Sequence, residues 1–202
     1  ASVSDGGMCN TASSSPSLVN CSFSGNQASF DGGGMYNFFN SSPSLKNCIL
    51  WGNSSEVYNT SGSNPTYTST LVRGLKKGGF QGTENPLFVN QPSAGLGTAG
   101  DLRLQPCSPV INAGNNADNS SSTDLDGNTR IFGTIIDLGA YEYQSDLRPE
   151  AITPSVTGSS NPTTCGGTEG SITLSGLLNS APYSVTYKKN TTAVAATNFT
   201  SN

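Results

Sequence analysis

Hydrophobic residues in this chain stand in short alternating groups. Residues 44–46, 66–68 and 171–175 alternate polar and apolar side chains, which is the two-residue period of a strand with one buried face. Gly, Ser, Asn and Pro, which favour turns, separate such groups. No segment carries the apolar period of an amphipathic helix. The pattern therefore predicts an all-β protein built from many short strands.

An internal repeat occupies the N-terminal part of the chain. Residues 7–26 and 34–53 align at an offset of 27, and twelve of the twenty positions are identical. A shorter third copy follows at an offset of 22, where residues 57–59 answer residues 35–37 and one loop has lost five residues. Shortening of a loop while the strands keep their spacing is typical of a solenoid.

A period of about two dozen residues suits one coil of a right-handed parallel β-helix. Coils stacked about 4.8 Å apart would align equivalent side chains in inward columns. The predicted columns are Leu18, Leu45 and Tyr67, and Cys21, Cys48 and Thr70. Asn20 and Asn47 would form an asparagine ladder at a bend, because asparagine tolerates the left-handed backbone region. Directly stacked side chains run parallel, so we expect Cys21 and Cys48 to be free thiols.

Composition and charge exclude several functions. The 202 residues include 9 Lys+Arg, 13 Asp+Glu and no histidine. A nucleic-acid surface needs clustered basic residues, so nucleic acid is not an expected partner. Without histidine, the chain lacks the commonest general base and transition-metal ligand. No apolar run reaches the length of a membrane span. The chain opens inside a repeat and ends in a strand-like pattern, so we expect a piece of a longer protein with further domains, and its low charge and small polar residues suit a secreted surface.

Two short motifs recur in the repeats. Residues 6–8 and 33–35 both read Gly-Gly-Met, and Phe23-Ser24-Gly25-Asn26 ends the first repeat. These motifs resemble the paired GGA-aliphatic and FxxN repeats of polymorphic outer membrane proteins, with Met in place of the aliphatic residue. The resemblance implies the β-helical passenger domain of a surface adhesin.

The sequence pattern changes after the third repeat. Four motifs follow in order, at residues 85–90, 101–114, 123–130 and 135–143. They resemble the choice-of-anchor module of secreted Bacteroidota-type proteins, which implies that residues 85–144 form the last coils and a cap. In this interpretation Leu102, Leu104 and Ile111 continue the inward columns, and a final strand over 134–143 closes the open end.

Asp124, Asp126 and Asn128 surround a glycine as in the first half of a calcium loop. No acidic ligand follows at the twelfth position that a complete EF-hand loop requires. A structural calcium ion is therefore the one cofactor that the sequence suggests. The competing interpretation is an Asx-stabilised turn in which Arg130 pairs with one acid among Asp124, Asp137 and Glu142.

The C-terminal part predicts a linker and a second domain. Residues 145–157 contain two prolines and indicate the linker. Beyond it, residues 161–170, which lead into the alternating segment 171–175, resemble the Ig-like repeats of giant gliding-bacteria adhesins. A full sandwich takes about 100 residues. The resemblance therefore implies that 158–202 form a partial Ig-like β-sandwich.

A parallel β-helix also suits a polysaccharide lyase or hydrolase, which is the alternative function. Such chemistry needs paired carboxylates, or a basic residue beside a calcium-bound uronate. Lys46 and Arg73 stand alone on their predicted strands. The acidic candidates, expected at separate coil corners, are Asp5, Asp31, Glu56 and Glu84. We therefore expect no catalysis.

Aromatic residues are the candidate ligand-binding groups. Rings stack on sugars, so the candidates are Tyr36, Phe38, Phe39 and Trp51, with core packing as the competing interpretation. With β-helix coils over residues 1–84, the resemblances imply a non-enzymatic adhesin or stalk, secreted or on the cell surface. Its expected partners are surface glycans or other cell-surface proteins.

Overall fold

In the computed structural model, the described residues are 6–95, 100–145, 155–160, 171–175, 182–189 and 192–200. The chain divides into two compact units, residues 1–148 and 149–202. The all-β prediction is confirmed: the described residues form fifteen strands and one turn of 3-10 helix, Asn116–Asp118. No helix in this part of the chain is long and apolar enough to cross a membrane.

Nine strands of the first unit come from the three sequence repeats, three from each. They are β1 (Met8–Asn10), β2 (Ser17–Val19), β3 (Ser22–Phe23), β4 (Met35–Asn37), β5 (Ser44–Lys46), β6 (Ile49–Leu50), β7 (Val57–Asn59), β8 (Thr66–Thr68) and β9 (Leu71–Val72). Equivalent strands pair in parallel and form sheet A (β1, β4, β7), sheet B (β2, β5, β8) and sheet C (β3, β6, β9). This topology is compatible with the predicted parallel β-helix.

The strand register keeps the offsets of the sequence repeats. Leu18 pairs with Leu45, and Leu45 pairs with Tyr67, which confirms that predicted column. These residues face an apolar core enclosed by the three sheets, because alternate residues of each strand point inward. Its buried members are Leu18, Met35, Leu45, Cys48, Leu50 and Val72.

The cysteine column also forms as predicted. The backbone N–H of Ile49 donates to the carbonyl of Cys21 at 2.9 Å, and the N–H of Cys48 donates to Oγ1 of Thr70 at 3.3 Å. Cys21 and Cys48 are free thiols. A hydrogen bond from the Cys48 thiol lowers the pKa of Cys21 to about 7, because it stabilises the thiolate.

Asparagine ladders run between the repeats. The predicted ladder is confirmed: Nδ2 of Asn47 donates to Oδ1 of Asn20 at 3.2 Å, and both residues are left-handed, with φ of 51° and 55°. A second ladder lies inside sheet A. There Nδ2 of Asn10 donates to Asn37 at 2.8 Å, and Nδ2 of the buried Asn37 donates to Asn59 at 2.7 Å. These amides satisfy one another where water is excluded.

Sheet C is apolar on both faces. Leu50 and Val72 belong to the inner core, whereas Ile49 and Leu71 belong to a second apolar cluster. Because successive side chains of a strand point to opposite faces, Ile49 and Leu71 lie on the outer face. Both are fully buried, so another part of the chain must cover them.

That cover is supplied by residues 85–95 and 100–143, here named the covering segment. It contains the antiparallel pair β10 (Phe88–Asn90) and β11 (Asp101–Leu104). Its buried apolar residues that pack on the outer face of sheet C are Phe88, Leu104, Val110, Ile111 and Leu138. The prediction that Leu102, Leu104 and Ile111 continue the inward columns is therefore wrong. They are needed outside, because sheet C presents an apolar face there.

The predicted final strand over residues 134–143 is also wrong, since no strand forms there. The segment lies along the repeats: the N–H of Gly139 donates to the carbonyl of Asn47 at 2.8 Å, and the N–H of Ala140 donates to Oγ of Ser22 at 3.1 Å. Its polar backbone groups are satisfied by loop and side-chain acceptors, so no ladder is required.

The described residues of the second unit form two antiparallel strand pairs. These are β12 (Ser155–Ser160) with β13 (Ser171–Ser175), and β14 (Pro182–Lys189) with β15 (Thr192–Thr200). Strand β12 starts inside the predicted linker 145–157, of which residues 146–154 lie outside the described residues. The motif at 161–170, including Cys165, also lies outside them.

Candidate functional site

The outer face of sheet A carries an aromatic patch formed by Tyr36, Phe38, Phe39 and Tyr58. Tyr36 and Tyr58 are register partners on β4 and β7, and their rings stack with centroids 5.6 Å apart and planes 13° apart. The centroid of the Phe38 ring lies 6.1 Å from that of Tyr36 and 4.1 Å from that of Phe39, which it meets edge-on. Phe39 is 56% exposed and Tyr58 is 39% exposed. The patch is thus a connected ring cluster that is open to solvent.

Phe39 stands at a tight corner that follows β4. Phe39 and Asn40 both have left-handed backbones, with φ of 51° and 57°. The corner is fixed from both sides: the N–H of Ser13 donates to the carbonyl of Phe39 at 2.8 Å, and the N–H of Asn40 donates to that of Ser61 at 2.9 Å. A bulky residue is uncommon in this region of φ. Because the Phe39 ring is exposed, its burial does not compensate for the unfavourable backbone conformation of the corner.

The strands and corners that carry the patch are polar and uncharged, and the exposed Asp31 stands beside Gly32, which lies against Tyr36. The strands of sheet A with their following corners, residues 7–15, 34–42 and 57–65, contain no Asp, Glu, Lys or Arg. Hydroxyl and amide side chains take their place. The exposed ones are Thr11, Ser13, Ser14, Ser15, Asn40, Asn59, Ser61 and Asn64.

Trp51 does not join the patch. It is 8% exposed and belongs to the apolar cluster between sheet C and the covering segment. The Arg73 guanidinium lies 5.8 Å from its ring centroid. The structure therefore brings together three of the four predicted candidates and adds Tyr58. The repeat alignment already paired Tyr58 with Tyr36, so that alignment could have identified it.

The residues of the predicted calcium loop form a hydrogen-bonded turn. Oδ1 of Asp124 accepts from the N–H groups of Asp126 and Asn128 at 3.0 and 2.8 Å, and Oδ2 accepts from the N–H of Glu142 at 3.1 Å. Asp126 and Asn128 are exposed. In the part of the chain that the structure describes, no three His, Cys, Asp or Glu side chains are placed to hold a metal. The geometry is that of the Asx-type turn, and calcium binding stays a prediction.

Arg130 is buried beside this turn and is paired with Glu142. Its Nη1 donates to Oε2 of Glu142 at 3.1 Å, and both side chains are at most 2% exposed. Nη2 donates to the carbonyls of Asp137 and Gly139 at 3.1 and 2.6 Å. Burial raises the pKa of Glu142 to about 7. The pair ties two parts of the covering segment together.

The acidic candidates for catalysis hold turns of their own loops. Glu56 accepts from the N–H and side-chain amide of Asn53, and burial raises the pKa of Glu56. Asn53 in turn accepts from Nδ2 of Asn26 at 2.9 Å, a third ladder that the repeat identity could have revealed. Glu84 accepts from the N–H groups of Gln81 and Thr83.

The remaining candidates are also apart. Asp31 is exposed in its loop, and Asp5 lies outside the described residues. Lys46 donates to Oδ1 of Asp118 in the covering segment at 2.6 Å. Arg73 lies against Trp51. Glu56 therefore serves a local turn, Lys46 binds the covering segment, and Arg73 packs against a neighbouring ring.

Comparisons with known proteins find no relative for this chain. No protein-family model matches it, and neither characterised proteins nor solved structures include a match. Function must therefore be argued from the residues themselves. The candidate binding residues concentrate in the aromatic patch.

Proposed function

We propose that this chain is a non-enzymatic part of an adhesin, secreted or on the cell surface, in which a right-handed parallel β-helix presents the aromatic patch. One observation carries the proposal. The outer faces of sheets A and C both carry large apolar side chains. The covering segment buries the outer face of sheet C, whereas Phe39 and Tyr58 on the side of sheet A stay exposed. Exposed apolar clusters with a polar rim are typical of binding surfaces.

The β-helix suits this role because it is rigid. Each repeat contributes one strand to each of sheets A, B and C. Amide ladders such as Asn10–Asn37–Asn59 join the repeats inside. A surface built on such a scaffold loses little conformational entropy on binding. For the second unit we propose a partial Ig-like sandwich, which is supported by its two antiparallel pairs.

The absence of catalysis is supported by what the carboxylates do. Glu56 and Glu84 are occupied by backbone and amide donors of their own loops. A glycosidase needs two carboxyl groups about 5–10 Å apart across the scissile bond. The chain also contains no histidine to act as a base. Residues that serve turns in separate loops are a poor basis for such a pair.

Adhesion by the patch is tested with beads coated with the full chain. We expect wild-type beads to adhere to extracellular matrix, mucin or bacterial cell-wall coats, and beads carrying Phe39→Ala with Tyr58→Ala to lose most of that adhesion. The matched control is Leu125→Ala, since Leu125 is 69% exposed but lies in the covering segment. Adhesion that survives the double substitution contradicts the proposal. Release of reducing ends from a polysaccharide panel would favour the enzyme instead.

A further inference from the structure

We infer that the aromatic patch binds a neutral polysaccharide, with C–H groups of the sugar rings against Phe39 and Tyr58 and sugar hydroxyls bonded to the surrounding side chains. This inference rests on the proposed function, because it names the ligand class of the same patch. It follows from the charge, the size and the rigidity of the surface.

The charge of the surroundings selects against ionic ligands. Residues 7–15, 34–42 and 57–65 contain no acidic or basic side chain. An anionic ligand, such as a nucleic acid, a uronate polymer or an acidic peptide, would lose hydration without gaining an ion pair. A neutral polyhydroxyl ligand matches the hydroxyl and amide groups of Thr11, Ser13 and Asn40, each of which both donates and accepts hydrogen bonds.

The size of the patch favours a sugar chain over a folded protein. An aromatic side chain buries about 150–250 Å² when fully covered. At 56% and 39% exposure, Phe39 and Tyr58 together offer at most about 200 Å² on that scale. A stable protein interface needs about 800 Å² from each partner. The patch therefore provides the footprint of a few sugar rings.

The orientation of the rings is set before binding. Tyr58 lies on β7, the edge strand of sheet A, so only one face of its ring stacks on Tyr36. Phe39 is held by the hydrogen-bonded corner and by its edge-on contact with Phe38. A fixed ring pays little entropy when a ligand binds. In the other two repeats, the positions equivalent to Phe38 and Phe39 hold Thr11 and Ala12, and Thr60 and Ser61. The two phenylalanine rings therefore occur at one level of the stack.

Three hexasaccharides test the inference with the full chain. Cellohexaose and mannohexaose are neutral, whereas hexagalacturonate has similar rings with a carboxylate on each. We expect saturation-transfer NMR to show contact with at least one neutral hexasaccharide, with an affinity that does not change between 50 and 500 mM salt, and no preference for hexagalacturonate. Phe39→Ala and Tyr58→Ala should each weaken binding at least tenfold, whereas Leu125→Ala should leave it unchanged. The melting temperature of each variant checks that the fold is retained.

Two results would overturn the inference. One is preferred, salt-sensitive binding of hexagalacturonate; the other is a neutral affinity that Phe39→Ala and Tyr58→Ala leave intact. The bead assay separates this failure from failure of the proposed function. If the double substitution abolishes adhesion but no neutral hexasaccharide binds at millimolar concentration, the patch is adhesive and the ligand class is wrong. If adhesion is indifferent to the substitutions, the patch has no adhesive role and both proposals fail.

Discussion

The outer faces of sheets A and C arise from the same repeats but have different fates. On sheet C the outward residues Ile49 and Leu71 are aliphatic and fully buried under the covering segment. On sheet A the outward register partners Tyr36 and Tyr58 are amphipathic rings, and Tyr58 remains 39% exposed. Tyrosine combines an apolar ring with a polar tip that tolerates water. Under the proposed function, the face of sheet C serves folding and the face of sheet A serves recognition.

The two sheets also differ on their inner faces. Sheet C contributes only apolar residues such as Leu50 and Val72 to the core, whereas sheet A contributes Met35 and also the amide ladder through Asn37. Sheet A therefore gains specificity of register from hydrogen bonds, because a shifted register would leave buried amides unpaired. Sheet C relies on burial from both sides. Substitutions in the two sheets should consequently have unequal costs.

The largest expected effect concerns the anchor of the covering segment. Arg130→Leu leaves Glu142 buried without its partner, which should lower the free energy of unfolding of the first unit by about 3–5 kcal/mol. Trp51, the single tryptophan of the chain, reports unfolding by its fluorescence in urea, since it is buried beneath this segment. The control is Arg103→Leu, which removes an exposed pair with Asp101 and should leave stability nearly unchanged. If Arg130→Leu lowered the free energy of unfolding no more than Arg103→Leu does, the covering segment would contribute little to the stability of the first unit.

The second prediction compares the outer faces directly. Leu71→Ala creates a cavity between sheet C and the covering segment and should cost about 2–4 kcal/mol. Tyr58→Ala removes a part-exposed ring from sheet A and should cost about 1 kcal/mol or less. Urea unfolding of both variants measures the difference. If Tyr58→Ala costs as much as Leu71→Ala, the aromatic patch belongs to the folding core and its proposed recognition role loses its basis.

Much of the repeat region followed from the sequence alone. The offsets of 27 and 22 predicted which residues pair, because a parallel stack keeps equivalent positions in register; Leu18, Leu45 and Tyr67 show this. The same identity between repeats also contained the ladders through Asn37 and Asn53. Those ladders were not identified, because local sequence does not show which asparagines point inward.

The covering segment could not be placed from its sequence. Leu104 and Ile111 were predicted to extend the columns, since an apolar residue gives no sign of which apolar surface it will meet. The decisive signal lay in sheet C, where Ile49 follows Cys48 and Leu71 precedes Val72, so both strand faces are apolar. The same ambiguity applied to Trp51, which the composition could not assign to either the core or the site.

The third prediction concerns the ladder inside sheet A. Asn37→Ala removes two side-chain hydrogen bonds and leaves the amide of Asn10 without its acceptor in a buried position. The expected loss is about 1–3 kcal/mol. Asn59→Ala is the comparison variant. It removes only the ladder bond that Asn37 donates, and because Asn59 is exposed, water can take the place of the lost acceptor. Similar costs for both variants, measured in urea, would show that the ladder adds no buried polar constraint.

The last prediction concerns the pH dependence of the covering segment, where the change per pH unit is small. Burial raises the pKa of Glu142 from 4.5 to about 7, so between these pH values the folded state holds a proton that the unfolded state has lost. The free energy of unfolding should therefore fall as pH rises from about 4.5 to 7, by no more than about 1.4 kcal/mol per pH unit for one group. Glu142→Gln should flatten this decline, and Glu56→Gln corrects for the smaller contribution of Glu56, whose pKa burial also raises. Above pH 7 the lowered pKa of Cys21 acts in the opposite direction. Stability that rises from pH 5 to 7 would show that the bond to Arg130 outweighs the cost of burying the Glu142 carboxylate.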